Sequence, residues 1–129
     1  MVLTLFTAAG KDRTGVLAAL ILDLVGVPAE IIALEYALTR IGVEPFKEVL
    51  LPGALRSFGL GEGQGLAEAA NTPGAKELLT INEGIMLDFY AYLKEKYGGA
   101  EGYLLTRLGF DESGISKIRA RLSSKARTT

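Results

Sequence analysis

Two residue types that carry much of protein chemistry are missing from this 129-residue chain, which contains no cysteine and no histidine. Their absence excludes disulfide bonds, zinc sites built from cysteine and histidine, thiolate nucleophiles and imidazole bases. Any site must therefore be built from carboxylates, amines, guanidinium groups, hydroxyls or the backbone. We expect no metal site and no cofactor.

The chain also carries little net charge, because 14 basic and 15 acidic side chains give a formal charge of −1. The chain thus has no broad positive field to attract a nucleic-acid backbone or an anionic membrane, and an anion site must be local. The most hydrophobic stretch, Val16 to Val27, is about a dozen residues long and is broken by Asp23 and Gly26, whereas a membrane span needs roughly 20 apolar residues. We expect no nucleic-acid partner and no membrane span.

The amino terminus lacks the basic segment that precedes the apolar part of a signal peptide, so we expect a cytoplasmic protein. Hydrophobic residues make up 49% of the composition and charged residues 22%, which is typical of a folded globular chain. At this length one core is sustained without metals or disulfides, and the sequence predicts a single domain over residues 1–129.

Apolar periodicity predicts one strand followed by helices. The apolar run from Val2 to Phe6 predicts a short buried strand. Helical spacing then predicts a helix from Thr14 to Val25, enclosed by protein on most sides and ended by Gly26. Further helices are predicted over Pro28–Arg40, with the proline in the first turn, and over Glu44–Leu51. The predicted fold class is therefore mostly α with one N-terminal strand.

The second half of the chain begins with a glycine-rich stretch, and five glycines between Pro52 and Gly65 predict a mobile loop, either a surface connection or a lid over a ligand site. A helix ending at Gly98-Gly99 follows, and the helical spacing of its large apolar side chains is typical of core packing. These side chains are Met86, Phe89, Tyr90, Leu93 and Tyr97.

Two further helices are predicted at the carboxyl end. One is a short helix around Tyr103 to Leu108, and the other is capped by Asp111, with Ile115, Ile118 and Leu122 on one stripe. The basic residues of this last segment are assigned to a solvated face without a partner. They are Lys117, Arg119, Arg121, Lys125 and Arg127.

A short glycine-bounded basic loop, residues 9–15, lies between the predicted strand and the first helix. Backbone N–H groups converge at such a helix start, where the helix dipole favours an anion. Gly10 and Gly15 allow close backbone approach, Arg13 offers a fork that fits two phosphate oxygens, and Lys11 adds a point charge. Asp12 would repel an anion, so its presence suggests proton transfer or helix capping. By itself the pattern is equally typical of an ordinary capped helix.

The same loop resembles a family signature. The stretch Phe6-Thr-Ala-Ala-Gly-Lys-Asp-Arg-Thr-Gly15 is similar to the motif His-Cys-x-Ala-Gly-Lys-Asp-Arg-Thr-Gly of the tyrosine/serine protein phosphatases of bacteria and fungi. Further similar segments follow in the family's order, and together they span nearly all of the chain. They are Val16-Leu-Ala-Ala-Leu-Ile-Leu22, Glu35-Tyr-Ala-Leu-Thr-Arg40, Tyr92-Leu-Lys-Glu-Lys-Tyr-Gly-Gly99 and Ile118-Arg-Ala-Arg-Leu122.

The resemblance implies the C-terminal part of the three-layer α/β fold of cysteine-dependent phosphatases, together with a phosphate-binding loop. That loop comprises Gly10, Lys11, Arg13, Thr14 and Gly15. In the family the motif cysteine attacks phosphorus as a thiolate. Here Thr7 stands at the cysteine position and Phe6 at the histidine position, and a threonine hydroxyl is a weak nucleophile without a base. Cysteinyl-phosphate chemistry is therefore excluded.

These residues are compatible with three functions. The first is a pseudophosphatase that binds a phosphorylated or otherwise anionic small molecule or peptide without turning it over. The second is a repurposed enzyme in which Asp12, or a carboxylate such as Glu35, acts as general acid or base while Arg13 and Lys11 bind the substrate anion. The third is a structural or regulatory subunit with a relic loop.

The resemblance also bears on assembly, because the family's other strands precede this loop and the chain has one predicted strand ahead of it. A lone strand exposes unpaired backbone groups on both edges, which is costly when they are buried. We expect a homo-oligomer or a partner chain that completes the sheet, and the alternative is that the segment near Met1 has refolded, for example into a helix.

Overall fold

The computed structural model describes residues 11–57, 59, 67, 68, 71–73 and 80–123, and the regular structure in these ranges is helical. The mostly α prediction is thereby confirmed, while the predicted strand Val2–Phe6 lies outside the described residues. Six α-helices have both ends within these ranges. They are α1 (Asp12–Leu24), α2 (Ala29–Val43), α3 (Lys47–Ser57), α4 (Glu83–Tyr97), α5 (Ala100–Arg107) and α6 (Glu112–Ser123), with a 3-10 turn at Glu44–Phe46.

The turn between α1 and α2 forms as its sequence predicts. Gly26 adopts a left-handed conformation with a φ of 83° just after α1, and the amide of Val27 donates to the carbonyl of Leu22 at 3.0 Å. Pro28 follows in an extended conformation, and its carbonyl accepts from Ile32 at 3.1 Å to begin α2. A glycine stop and a proline start thus place the two helices side by side.

The core consists of two neighbouring apolar clusters. The first packs α2 against α1 and α4, and the second packs α1 and α4 against α5 and α6. Ala19 and Leu20 of α1 belong to one cluster each, and Phe89 of α4 contacts both. Helix α1, which carries the predicted anion loop at its start, therefore packs into the middle of the helical layer. The buried members are Ala19, Ile32, Ala33, Tyr36, Val43, Ile81 and Met86 in the first cluster, and Leu20, Leu24, Leu93, Ala100, Leu104 and Ile115 in the second.

Two polar side chains fix the carboxyl end of α1. Asp23 accepts hydrogen bonds from the Tyr90 hydroxyl at 2.9 Å and from the Ala100 amide, the first residue of α5, at 2.7 Å. Burial raises the pKa of Tyr90 above its ordinary value, and the hydrogen bond to Asp23 adds to the rise. The Ala100 contact caps α5 from a distant part of the chain, so α5 begins at Ala100 rather than near Tyr103 as predicted.

Arg119 of α6 is the second side chain that holds the carboxyl end of α1. The prediction that it lies on a solvated face without a partner was therefore wrong. Its Nε donates to the carbonyl of Leu24 at 2.8 Å, and its Nη2 donates to the Glu101 carboxylate at 2.5 Å. This hydrogen bond lowers the pKa of Glu101 and raises that of Arg119. A cation at the carboxyl end of a helix is also favoured by the helix dipole. Lys117 and Arg121 are exposed, whereas Lys125 and Arg127 lie outside the described residues.

The glycine-rich loop prediction was wrong at its start. Helix α3 continues through Pro52 to Ser57, and the positive φ of Gly59 marks the turn that follows. Proline inside a helix removes one hydrogen bond, but Leu55 in the turn after it is almost completely buried, which favours the helical conformation. Most of the remaining loop, up to Gly65, lies outside the described residues.

The last two long helices follow their predicted patterns. Met86 and Leu93 are buried and Phe89, Tyr90 and Tyr97 are partly buried, which confirms the aromatic stripe as core. Gly98 ends α4 in a left-handed conformation. The Asp111 carboxylate accepts from the amide of Gly114 at 2.6 Å and caps α6 as predicted. Leu122 is exposed, so the stripe of α6 is buried only in its first part.

The prediction that protein encloses α1 on most sides was wrong for the described residues. Val16 and Leu17 are exposed, and an open groove of about 910 Å³ runs between α1, α5 and α6. Ten side chains line it, nine of them apolar: Leu17, Leu20, Ile21, Leu24, Leu104, Leu108, Phe110, Ile118 and Leu122, with Arg121. None of the described helices is both long and apolar enough to cross a membrane.

Candidate anion-binding site

Four of the predicted site residues, from Asp12 to Gly15, form the first turn of α1, and Lys11 is its N-cap residue. The amide of Gly15 donates to the carbonyl of Lys11 at 2.8 Å, which closes this turn. Lys11 makes no capping hydrogen bond through its side chain. The Lys11 side chain therefore leaves the N–H groups of the first turn uncapped, and these groups form the positive end of the helix dipole. The other predicted residues, Thr7 and Gly10, lie outside the described residues, as does Phe6.

Lys11 and Asp12 form an ion pair within the loop. The Lys11 side chain is 6% exposed, and its Nζ donates to the Asp12 carboxylate at 2.5 Å, while Asp12 itself is largely exposed. A neighbouring ammonium offsets the carboxylate charge that would otherwise repel an incoming anion. The pair thus explains how an aspartate is compatible with an anion site at this position.

Arg13 is exposed, and no ion pair joins it to another described residue. An ion pair with either of two carboxylates, Asp12 or Glu35, would hold Arg13 inside the fold. Asp12 pairs with Lys11 instead, and Glu35 lies on the exposed side of α2. A guanidinium at a helix start with no structural ion pair is available to bind two oxygens of an oxyanion.

Tyr36 is a residue that sequence reasoning missed, although it lies in one of the segments that resemble the family. It is buried on the face of α2 that packs against α1. A Cβ atom added at Gly15 would lie 2.8 Å from two ring carbons of Tyr36 and 3.8 Å from the Met86 methyl group. Gly15 is therefore required for close packing of α1 on the tyrosine ring, in addition to any contact with a ligand.

The surroundings of the Tyr36 hydroxyl favour its protonated form. Burial raises the pKa of this phenol above its ordinary value, and the negative charge of Asp12 raises it further.

The sequence signal that could have revealed the Gly15–Tyr36 contact is the pairing of a glycine in a helix's first turn with an aromatic residue on the next helix. That signal is weak, because the sequence alone does not give the rotation of one helix against the other.

The start of α1 brings together groups of the kind that bind small oxyanions in proteins. The helix end and Arg13 supply positive charge, and the Lys11–Asp12 pair sits beside them. The other end of α1 is held by Asp23 and Arg119, which anchor that end to α4, α5 and α6.

Comparison with known proteins adds two findings. A model of the tyrosine phosphatase family matches residues 4–124. The chain is 37% identical over 117 residues to a tyrosine-protein phosphatase of Nostoc commune, in an alignment covering 88% of this chain and 36% of the relative. The chain thus spans about a third of the length of this curated relative. No solved structure matches the chain significantly.

Proposed function

The chain belongs to the tyrosine phosphatase family, and on that premise we propose that it is a pseudophosphatase, which binds a phosphorylated or otherwise anionic ligand without cysteine-dependent hydrolysis. The observation that carries the proposal is a contrast within one loop. Thr7 stands where the family has its cysteine, and the chain has no cysteine or histidine at all. Arg13 is nevertheless present and exposed at the start of α1.

The chemistry favours binding over turnover. Phosphoryl transfer to a side chain requires an activated nucleophile, and a threonine hydroxyl needs a base that no imidazole in this chain can supply. Oxyanion binding needs only donors and positive charge, which the first turn of α1 and Arg13 provide. The ligand class is a phosphorylated small molecule or peptide.

We expect the purified protein to be stabilised by an anion and to hydrolyse no aryl phosphate above the buffer rate. A ligand at 100 times its dissociation constant adds about 2.7 kcal/mol to the free energy of unfolding, which is visible as a higher melting temperature. Phosphate, sulfate, phosphotyrosine and inositol phosphates are the probes, and chloride at matched ionic strength is the control. Thr7→Cys alone should not restore full activity, because Phe6 remains at the histidine position.

Two outcomes would contradict this. Vanadate-sensitive hydrolysis by rigorously purified wild-type protein would show that turnover persists. The absence of a thermal shift with every anion would favour the relic loop of a structural or regulatory subunit.

A repurposed enzyme is the second candidate, and the observation that favours it is the exposed Asp12 carboxylate next to Arg13 in the first turn of α1. Asp12 would act as general acid or base on a small metabolite whose anionic group Arg13 binds. Glu35 is less suited to this role, since it lies on the exposed side of α2 while the adjacent Tyr36 faces α1. Turnover of a non-phosphate substrate that Asp12→Asn abolishes would replace the pseudophosphatase proposal.

Assembly is part of the proposal as well. The open groove between α1, α5 and α6 is almost entirely apolar, and we propose that a second copy of the chain covers it. Light scattering at micromolar concentration should then give a mass above that of one 13.7 kDa chain, and Leu108→Asp in the groove should reduce it. A wild-type mass of one chain would overturn this part of the proposal. The cytoplasmic location and the single domain stay predictions from the sequence.

A further inference from the structure

Helix α2 is apolar on the side that faces away from the core. Its buried face carries Ile32, Ala33, Tyr36 and Val43. On the opposite face, four large aliphatic side chains point into solvent: Ile31 is 53% exposed, Leu34 47%, Leu38 54% and Ile41 72%. We call these four residues the outer stripe. A helix that is apolar on both faces is typical of one buried on both sides, so the outer stripe is unlike an ordinary solvated face.

The spacing of the outer stripe fits a helix as its partner. Its residues follow one another at intervals of three, four and three, which is the a and d pattern of a heptad repeat. The helix rises by ten steps of about 1.5 Å from Ile31 to Ile41, so the stripe is about 15 Å long, close to three turns. When two helices pack, each contributes such an apolar seam. The side chains of an extended strand repeat every two residues, and this period does not match the outer stripe.

The charges beside the outer stripe have one sign. Glu30 and Glu35 lie on its two sides at the flanking positions of the heptad, and both are exposed. Neither forms an ion pair within the described ranges, and the nearby Arg40 pairs with Glu44 at 3.6 Å instead. Charges at these positions select the partner of a helix. Acidic flanks favour lysine or arginine on the partner and disfavour an anionic lipid surface.

A second copy of the chain does not meet this requirement. If two outer stripes paired in parallel, Glu30 of one copy would lie beside Glu35 of the other. In the antiparallel arrangement Glu35 would lie beside its own counterpart. Like charges at these positions destabilise a helix pair, so self-association through the outer stripe is disfavoured in both orientations.

We propose that the outer stripe of α2 is a docking site for an amphipathic helix of another protein, with an apolar seam flanked by lysine or arginine. The site is separate from the anion loop, because Tyr36, which contacts Gly15, lies on the buried face of the same helix. The inference goes beyond the proposed pseudophosphatase activity and stands whether or not the loop binds an anion.

The test uses two labelled peptides of about three heptads with leucine at a and d, one carrying lysine and the other glutamate at e and g. Fluorescence anisotropy with the 129-residue chain should show binding of the lysine peptide and at least about tenfold weaker binding of the glutamate peptide. Leu38→Asp should abolish binding. Leu87→Asp, at an exposed leucine of α4, is the matched control and should leave it unchanged.

A charge swap keeps the test independent of stability. The double variant Glu30→Lys with Glu35→Lys should invert the preference toward the glutamate peptide, and circular dichroism should show all variants folded. The proposal is overturned if the wild type binds neither peptide, if it binds both equally, or if Leu38→Asp has no effect. It is also overturned if Leu38→Asp dissociates an existing dimer, or if the outer stripe binds anionic phosphatidylserine vesicles in place of the peptide.

Discussion

Arg13→Ala is expected to remove anion binding while leaving the fold intact. The side chain is exposed and forms no ion pair with the described residues, so its loss should change the free energy of unfolding by no more than about 0.5 kcal/mol. A hydrogen bond to a charged group contributes about 1.5–3 kcal/mol, and a guanidinium can make two to one phosphate. The dissociation constant should therefore rise by at least about 100-fold, measured by calorimetry with the anion that gives the largest thermal shift.

Two further variants separate geometry from charge. Arg13→Lys keeps the positive charge but loses the planar fork, so most of the affinity should be lost despite an unchanged net charge. Arg40→Ala removes an arginine that pairs with Glu44 and should leave anion binding unaltered. If Arg13→Ala lowers the melting temperature sharply and wild-type protein shows no anion-induced shift, Arg13 is structural and the anion site is withdrawn.

Gly15→Ala is expected to destabilise the protein although alanine is the better helix former. The new methyl group would lie 2.8 Å from two carbons of the buried Tyr36 ring, which is too close for any real contact. Overpacking of this kind costs about 1–3 kcal/mol, which exceeds the gain of up to about 1 kcal/mol from replacing a helical glycine. Urea unfolding followed by circular dichroism should therefore show a lower midpoint.

Gly42→Ala is the matched control, because this glycine also lies in a helix and nothing would approach its added Cβ within 4 Å. It should leave stability unchanged or raise it slightly. A double-mutant cycle adds the second check. In a Tyr36→Ala background, Gly15→Ala should become neutral or stabilising, since its clashing partner is gone. An equal cost in both backgrounds would mean that the Tyr36 ring is not what restricts residue 15.

The features that local sequence determines were predicted well. The glycine and proline between α1 and α2, the glycine after α4 and the Asp111 cap of α6 each act within a few residues, and each forms as expected. The apolar periodicity of α4 also placed its buried face correctly. Short-range rules suffice wherever both interacting groups lie within one or two turns.

The features that were missed depend on distant partners. Helix α5 begins early because Asp23, 77 positions before Ala100, caps it. Arg119 looked like a solvated residue, yet it reaches the carbonyl of Leu24, 95 positions away. The extension of α3 beyond Pro52 is favoured by the burial of Leu55, which no local pattern indicated. At the candidate site, the residues of the first turn were identified by their motif, whereas the Tyr36 contact depends on how α1 and α2 pack.

Because Asp23 and Arg119 hold the carboxyl end of α1, local opening of this helix should cost more free energy at that end than at its start. Near Leu24, opening the helix must break the Asp23 and Arg119 hydrogen bonds and expose the second apolar cluster. Backbone amides there should exchange with deuterated solvent only when the whole core unfolds, whereas those in the turn around Arg13, which is exposed, can exchange by fraying alone. A ligand held by that first turn would slow amide exchange where the helix is least protected. Its binding would therefore reduce the difference in exchange rate between the two ends of α1.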